Sequence, residues 1–224
     1  MIELISGLLR FQRDVFPSKR EVFENLACEQ NPQALFITCA DSRVVPDLIM
    51  QCGPGELFIC RNAGNIVPPH GELRGGISAT IEYAVSALGV KNIIVCGHSD
   101  CGAMKAILHP ESVKDMPMVS AWLWQAEGAR RVVLDNHPEL GEAERLEKLT
   151  EENVLSQIDH LKTHPSVAAG LARGDVRLYG WVYNIKTGEM LNYDAETGYF
   201  RPLRNVDDIP AACLPSRRTM AIQR

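Results

Sequence analysis

Two short segments carry residues whose types and spacing could do chemistry. One is Cys39-Ala40-Asp41-Ser42-Arg43 and the other is His98-Ser99-Asp100-Cys101-Gly102. Between them they offer one imidazole and two thiols, with a carboxylate and a guanidinium close to the first thiol. One nitrogen and two sulfur donors suit zinc better than magnesium or calcium, which take oxygen ligands. Three protein ligands, Cys39, His98 and Cys101, leave one tetrahedral position for water, the layout of a catalytic rather than a structural zinc site. An H-x-x-C spacing alone is more often a buried cysteine beside a surface histidine, and an Asp–Arg pair alone is usually a surface ion pair. The two segments gain weight because each sits at the end of an equivalent apolar run.

Those runs are Ala34–Cys39, Glu56–Cys60 and Asn92–Cys96, each rich in β-branched or aromatic residues and each ending at a polar or Gly-containing turn. They read as buried strands of a parallel sheet. A helix from Gly75-Gly76 to Leu88, stopped by Gly89, lies between the second and third. The alternation predicts an α/β fold, a central mostly parallel β-sheet flanked by helices. Open sheets of this kind bind ligands at the carboxyl ends of strands, where both segments fall. Helices are expected over Val119–Leu134 and Glu142–Leu161. A strand over Val176–Tyr183 then turns through Lys186–Glu189 into Met190–Tyr193, a C-terminal hairpin. At the other end, Ile2, Ile5, Leu8, Leu9, Phe11 and Phe16 form a helical stripe that Pro17-Ser18 interrupts. Ser18 and Glu21 have the form of a capping box for a second helix ending near Cys28. This N-terminal helical arm, residues 1–30, could lie on a neighbouring subunit or pack on its own domain. The domain is expected over 1–205, with 206–224 a loosely ordered tail.

Composition narrows the function further. The 224 residues are 46% hydrophobic and 23% charged, with a formal net charge of −5 and no dense basic stretch, so no nucleic acid is expected as partner. No apolar run approaches the roughly 20 residues of a membrane span, and Met1-Ile2-Glu3 lacks the layout of a secretory signal, which together predict a cytoplasmic protein with no membrane contact. Seven cysteines, an odd count, argue against a disulfide framework, and no C-x-x-C pair supports a thiol-redox role. Cys28, Cys52, Cys60, Cys96 and Cys213 read as small hydrophobes or bystanders. His70, His109, His137, His160 and His164 read as surface residues. Gly53-Pro54-Gly55 and Gly75-Gly76 lack the spacing of a nucleotide fingerprint.

With Arg61-Asn62-Ala63-Gly64-Asn65, Gly76 through Tyr83, and Gly180-Trp181-Val182-Tyr183, the two segments resemble the β-class carbonic anhydrases from about Ile5 to Pro202. The likeness is to bacterial and plant-like members, including the one that accompanies cyanate degradation. It implies zinc-dependent reversible hydration of carbon dioxide to bicarbonate and a proton, by attack of a zinc-bound hydroxide, with one Zn2+ per chain. It implies that Arg43 pairs with Asp41 and keeps it off the metal, Asp41 becoming a fourth ligand only in a closed state. It also implies substrate-binding roles for Gln30, Phe58, Tyr83 and Gly102, with Gln30 reaching across a subunit interface. The assembly it implies is a homodimer or a higher homo-oligomer, tetramer or octamer. Two thiolate ligands offset the zinc charge, so activity should rise above neutral pH. Bicarbonate-inhibited members carry Trp and Gly where this chain has Phe36 and Thr38, so no regulatory bicarbonate pocket is expected, although Arg61 and Tyr83 match. Two alternatives use the same residues: a carbonyl sulfide or carbon disulfide hydrolase, and a non-catalytic bicarbonate-binding regulator. Intact Cys39, Asp41, Arg43, His98 and Cys101 favour turnover over the latter.

Overall fold

A computed structural model describes residues 1–71 and 75–209. The chain opens with helical turns α1 (Ile2–Arg10), a wider π-type turn over Phe11–Val15, α2 (Phe16–Ser18) and α3 (Arg20–Leu26). The expected break at Pro17 is displaced to Lys19, whose φ of −118° and ψ of 17° leave the helical region. Pro17 directly follows the π-type turn, and the chain stays helical through it. The expected capping box is absent: the Ser18 hydroxyl donates back to the Val15 carbonyl at 2.7 Å, and Lys19 is the N-cap of α3. None of the residues of these helices is buried. A ring cluster of Phe11, Phe16 and Phe23, with centroids 5.2–6.2 Å apart, ties them to one another.

The body follows as β1 (Ala34–Cys39), α4 (Pro46–Met50), β2 (Leu57–Asn62), α5 (Gly76–Glu82, continued by a π-type turn to Ala87), β3 (Asn92–His98) and α6 (Gly102–Leu108). Then come α7 (Pro117–Leu123), α8 (Glu127–Asn136), α9 (Glu142–Thr163), α10 (Pro165–Arg173), β4 (Arg177–Tyr183), β5 (Met190–Asp194) and β6 (Tyr199–Pro202). The six strands form one sheet in the order β2-β1-β3-β4-β5-β6. β2, β1, β3 and β4 run parallel, and β5 and β6 are antiparallel. The expected α/β sheet and hairpin are thus present, with α4, α6, α10 and β6 added to what periodicity offered, and the helix expected over Val119–Leu134 is instead the pair α7 and α8, separated by a 3-10 turn at Trp124–Ala126. A 3-10 turn at Val206–Asp208 carries Ile209 back onto the sheet; the expected tail from 210 onward, with Cys213, lies outside the described residues.

Burial explains why these runs become strands. Every residue of β1 is buried, because the sheet is covered on both faces and successive side chains point to opposite sides. Leu35, Ile37, Ile93 and Val95 enter the core under α5, α9 and α10, whereas Phe36, Ile94, Cys96 and Trp181 enter the opposite one. Full burial of each large side chain contributes about 1.5–3 kcal/mol. α9 buries Leu149, Thr150, Asn153, Val154, Gln157, Ile158 and Leu161, one continuous helical stripe. It lies close on the sheet because Gly97 and Gly180 face it. A Cβ on Gly97 would stand 3.0 Å from Val154 Cγ2, and one on Gly180 would stand 2.9 Å from Ile158 Cδ1.

Candidate metal centre

β1 and β3 are neighbours in the sheet, so Cys39 and His98, each the last residue of its strand, are delivered side by side. After His98 the chain turns through Asp100, whose φ of +58° is left-handed, and Cys101 then caps the start of α6. Asp is among the few residues that take up this conformation readily. It is held there by Lys105 and by Arg43, whose Nη1 reaches Asp100 Oδ2 at 3.0 Å. The outcome is that one donor atom each from Cys39, His98 and Cys101 falls within 4.8 Å of the others, all three residues being buried. The two sulfurs are 3.9 Å apart.

The donor chemistry fits a thiophilic divalent ion. His98 Nδ1 lies 2.9 Å from the Ser99 carbonyl, which can only accept, so the proton belongs on Nδ1 and the lone pair on Nε2. That Nε2 is buried and makes no hydrogen bond, a costly arrangement unless something else occupies the lone pair. The sulfur–sulfur contact with Cys101 holds the Cys39 pKa well below that of an ordinary thiol, burial opposing, and the Gly64 N–H assists from 3.4 Å. Cys101 is pushed the other way by the same contact and by burial. A metal ion bound there would displace the thiol protons and be surrounded by two thiolates and a neutral imidazole.

Asp41 and Arg43 stand over the cluster. Arg43 donates to Asp41 three times: Nη2 to Oδ2 at 2.8 Å, Nε to Oδ1 at 3.0 Å and the backbone N–H to Oδ1 at 2.9 Å. This grip holds the Asp41 pKa well below the usual carboxylate range. Asp41 Oδ2 comes within 3.9 Å of His98 Nε2. Arg61 fixes the backbone beneath, donating to the carbonyls of Cys39 at 3.1 Å and Asp41 at 2.7 Å. Gly102 opens α6 beside Cys101.

Cys39, Asp41, Arg43, His98, Cys101 and Gly102 are therefore together. Phe58 and Tyr83 are with each other, ring centroids 6.0 Å apart, but not with the ligands of their own chain. Phe58 pairs with Leu35, four residues before Cys39, which is about 13 Å back along the strand. Gln30 is exposed after α3. Phe36 is packed against Trp181 and Thr38 donates to the Cys96 carbonyl at 2.9 Å, both fully buried.

Two of the expected surface histidines are not on the surface. His164 is 2% exposed, with Nε2 on the Pro68 carbonyl at 3.0 Å, and half-buried His160 puts Nδ1 2.7 Å from the Val67 carbonyl. Both are drawn in because the segment after β2 crosses the sheet end beneath α9 and needs hydrogen-bond partners. Asn153 and Gln157 serve the same segment and were not singled out from the sequence. The available signal was two amides at buried positions of an otherwise apolar helical stripe.

A buried Cys-His-Cys cluster at the strand ends of an open parallel sheet defines a class, the α/β metalloenzymes with a catalytic zinc-type site. The carbonic anhydrase family matches residues 34–190. A carbonic anhydrase of Pseudomonas aeruginosa is 48% identical over 94% of this chain and 96% of its own length. Carbonic anhydrase 1 of Escherichia coli O157:H7 is 48% identical over 91% of this chain and 92% of its own. The solved β-carbonic anhydrase CcaA superposes with a TM-score of 0.89 at 46% identity, over 91% of this chain and 99% of that one. The chain belongs to the β-carbonic anhydrase family, and its activity is the reversible hydration of carbon dioxide. Its Cys-His-Cys triad is the one typical of the zinc site of that family.

Proposed function

We propose that Cys39, His98 and Cys101 hold one zinc ion per chain and that Asp41 and Arg43 carry the chemistry beside it. The observation behind this reading is the buried, unbonded His98 Nε2 among two sulfurs, under a carboxylate gripped by an arginine. Bound there, zinc supplies the Lewis acidity that makes water a nucleophile near neutral pH. Asp41, held ionised, is an acceptor only. Its Oδ2, the oxygen nearest the ligands, accepts a hydrogen bond from the attacking water and so directs the oxygen lone pair at carbon dioxide. Arg43 keeps both Asp41 oxygens engaged and withholds them from the metal. Gly102 leaves the approach beside Cys101 free of a side chain.

Gln30, Phe58 and Tyr83 complete the pocket of a second copy in a homodimer, from which larger assemblies are built. The position of Phe58 about 13 Å behind Cys39 in the same chain supports that role across an interface. So does the exposure of the apolar face of α1–α3. Two β-carbonic anhydrases of Sordaria macrospora, represented by a chain 28% identical to this one with a TM-score of 0.77, are tetrameric. Residues 1–205 act as one unit, in the cytoplasm. Cys28, Cys39, Cys52, Cys60, Cys96 and Cys101 are all free thiols, as a reducing compartment favours, and among the described residues no helix is long and apolar enough to cross a membrane.

Cobalt-substituted protein tests the roles of Asp41 and Arg43. Wild type should keep an open coordination position from pH 7 upward, and Arg43→Ala should show Asp41 entering the coordination sphere. Identical cobalt spectra in the two proteins at every pH would remove Arg43 from this role.

A further inference from the structure

The buried amides of α9 form a relay that ends on a metal-ligand sulfur. Asn153 and Gln157, one helical turn apart, are 1% and 0% exposed. Gln157 Nε2 donates to Asn153 Oδ1 at 2.9 Å, and Asn153 Nδ2 donates to the Gly64 carbonyl at 3.0 Å. Gln157 Oε1 accepts the Val67 N–H at 2.8 Å, which anchors the far side of the same turn. On the other side Trp122 Nε1 donates to the Ala63 carbonyl at 2.8 Å. The segment between these anchors carries Gly64, and the N–H of Gly64 points at Cys39 Sγ from 3.4 Å.

Gly64 has no freedom to move elsewhere. Its φ is +79°, and an added Cβ would stand 3.0 Å from Ala103 Cβ and 3.1 Å from Met104 Cε. The turn therefore has to approach α6 closely in a left-handed conformation. Trp122 holds the carbonyl of the Ala63–Gly64 peptide that carries the N–H, and Asn153 holds the carbonyl of the next peptide, so the two anchors together fix the turn about Gly64. A buried, hydrogen-bonded amide pair is an expensive feature to place in a hydrophobic stripe unless it specifies something. What it specifies here is the direction of one N–H donor.

We propose that Asn153, locked by Gln157, is a positioning residue for the metal centre: by holding the Gly64 carbonyl, with Trp122 on the Ala63 carbonyl, it fixes the turn at Gly64 so that the Gly64 N–H donates to Cys39. A hydrogen bond to a thiolate withdraws electron density from the sulfur, and it also fixes the sulfur at the ligand position, so the relay preorganises Cys39 for the metal. Partners one step behind the ligands commonly alter metal affinity or activity by 10–100-fold. The inference rests on Cys39 being a metal ligand.

Two variants test it in the full-length protein, Asn153→Ala and Gln157→Met. Thr150→Val is the control: Thr150 is on the same buried face but bonds only to the Leu146 carbonyl of its own helix, at 2.8 Å. The first readout is the sulfur-to-cobalt charge-transfer band of the cobalt-substituted protein, and the second is the zinc dissociation constant by competition with a chelator. Both relay variants should shift the band to lower energy, because a thiolate freed of a hydrogen bond is easier to oxidise. Their zinc dissociation constants should rise about tenfold, with Thr150→Val unmoved in both. If either variant fails to fold, the other is read alone. If the variants melt at lower temperature but leave band and zinc affinity at wild-type values, the relay is only structural and the proposal fails. A wild-type band with no sulfur contribution at all would instead remove Cys39 from the ligand set.

Discussion

The two ends of the chain's organisation make opposite demands. At the strand ends, Cys39, His98 and Cys101 are 5%, 0% and 1% exposed, and the backbone around them is held by Arg61, Asn153 and Trp122. In the arm, Ile2, Leu4, Leu8 and Leu9 are more than half exposed and no residue of α1–α3 is buried. The arm meets the body at Leu26, which lies against Gly55. An apolar helical face of this kind is not stable in water for its own sake. The metal ligands are thus gathered by one chain's own core, while the arm keeps its apolar side chains exposed. Under the proposed homodimer, the fold carries the ligand geometry and the arm carries association.

The strongest way to break this contrast is a matched pair of truncations. Phe36→Ala, in the fully buried core beneath the site, should cost about 3–5 kcal/mol in denaturant unfolding. Phe11→Ala, 38% exposed on the arm, should cost far less in dilute protein and should instead weaken assembly. Equal losses of stability would mean that the arm is part of the folding core. Next in size, Arg43→Ala should reduce carbon dioxide hydration by about 100-fold, the scale of lost proton-handling geometry, with zinc content unchanged. A variant that also lost its zinc would make Arg43 a structural support of the ligands rather than the keeper of Asp41.

Removing residues 1–28 should then convert the assembly to smaller species by light scattering, while far-ultraviolet dichroism loses only the arm's helical signal. Unchanged mass would place the interface elsewhere. The smallest effect concerns acid. Arg43 depresses the folded-state pKa of Asp41, so the stability this pair contributes is present above the unfolded carboxylate pKa and is lost as pH falls through the lower folded value. Asp41→Asn should therefore lower stability modestly in the neutral region and converge on wild type as pH falls below about 4, which leaves its acid limb shallower. An acid limb identical to wild type would show that other carboxylates govern it.

Much of this contrast is legible in the sequence, for physical reasons. The strands at Ala34–Cys39 and Asn92–His98 announce themselves because central parallel strands are buried on both faces and become unbroken apolar runs. The ligand set is legible because its donor types are rare together. β6 is missed because Tyr199-Phe200-Arg201-Pro202 is a half-exposed edge strand with a terminal proline and little periodic signal. α10, opened by Pro165, is too short for its apolar stripe to stand out. The Ser18 cap fails because Pro17 continues the preceding helix rather than ending it, a choice of local geometry that composition does not fix. Asn153, Gln157 and the buried His164 escape because their partners are backbone groups some 90 residues away, invisible to any local pattern.

The central claim is that this chain builds a one-zinc site from Cys39, His98 and Cys101 and hydrates carbon dioxide there. The most direct measurement is stopped-flow carbon dioxide hydration at pH 8.5, with zinc content determined on the same sample, for wild type and Cys101→Ala. Turnover with one zinc per chain in wild type, and neither in the folded variant, is the result expected. Undiminished turnover in Cys101→Ala, or one zinc per chain with no turnover in wild type, would contradict it.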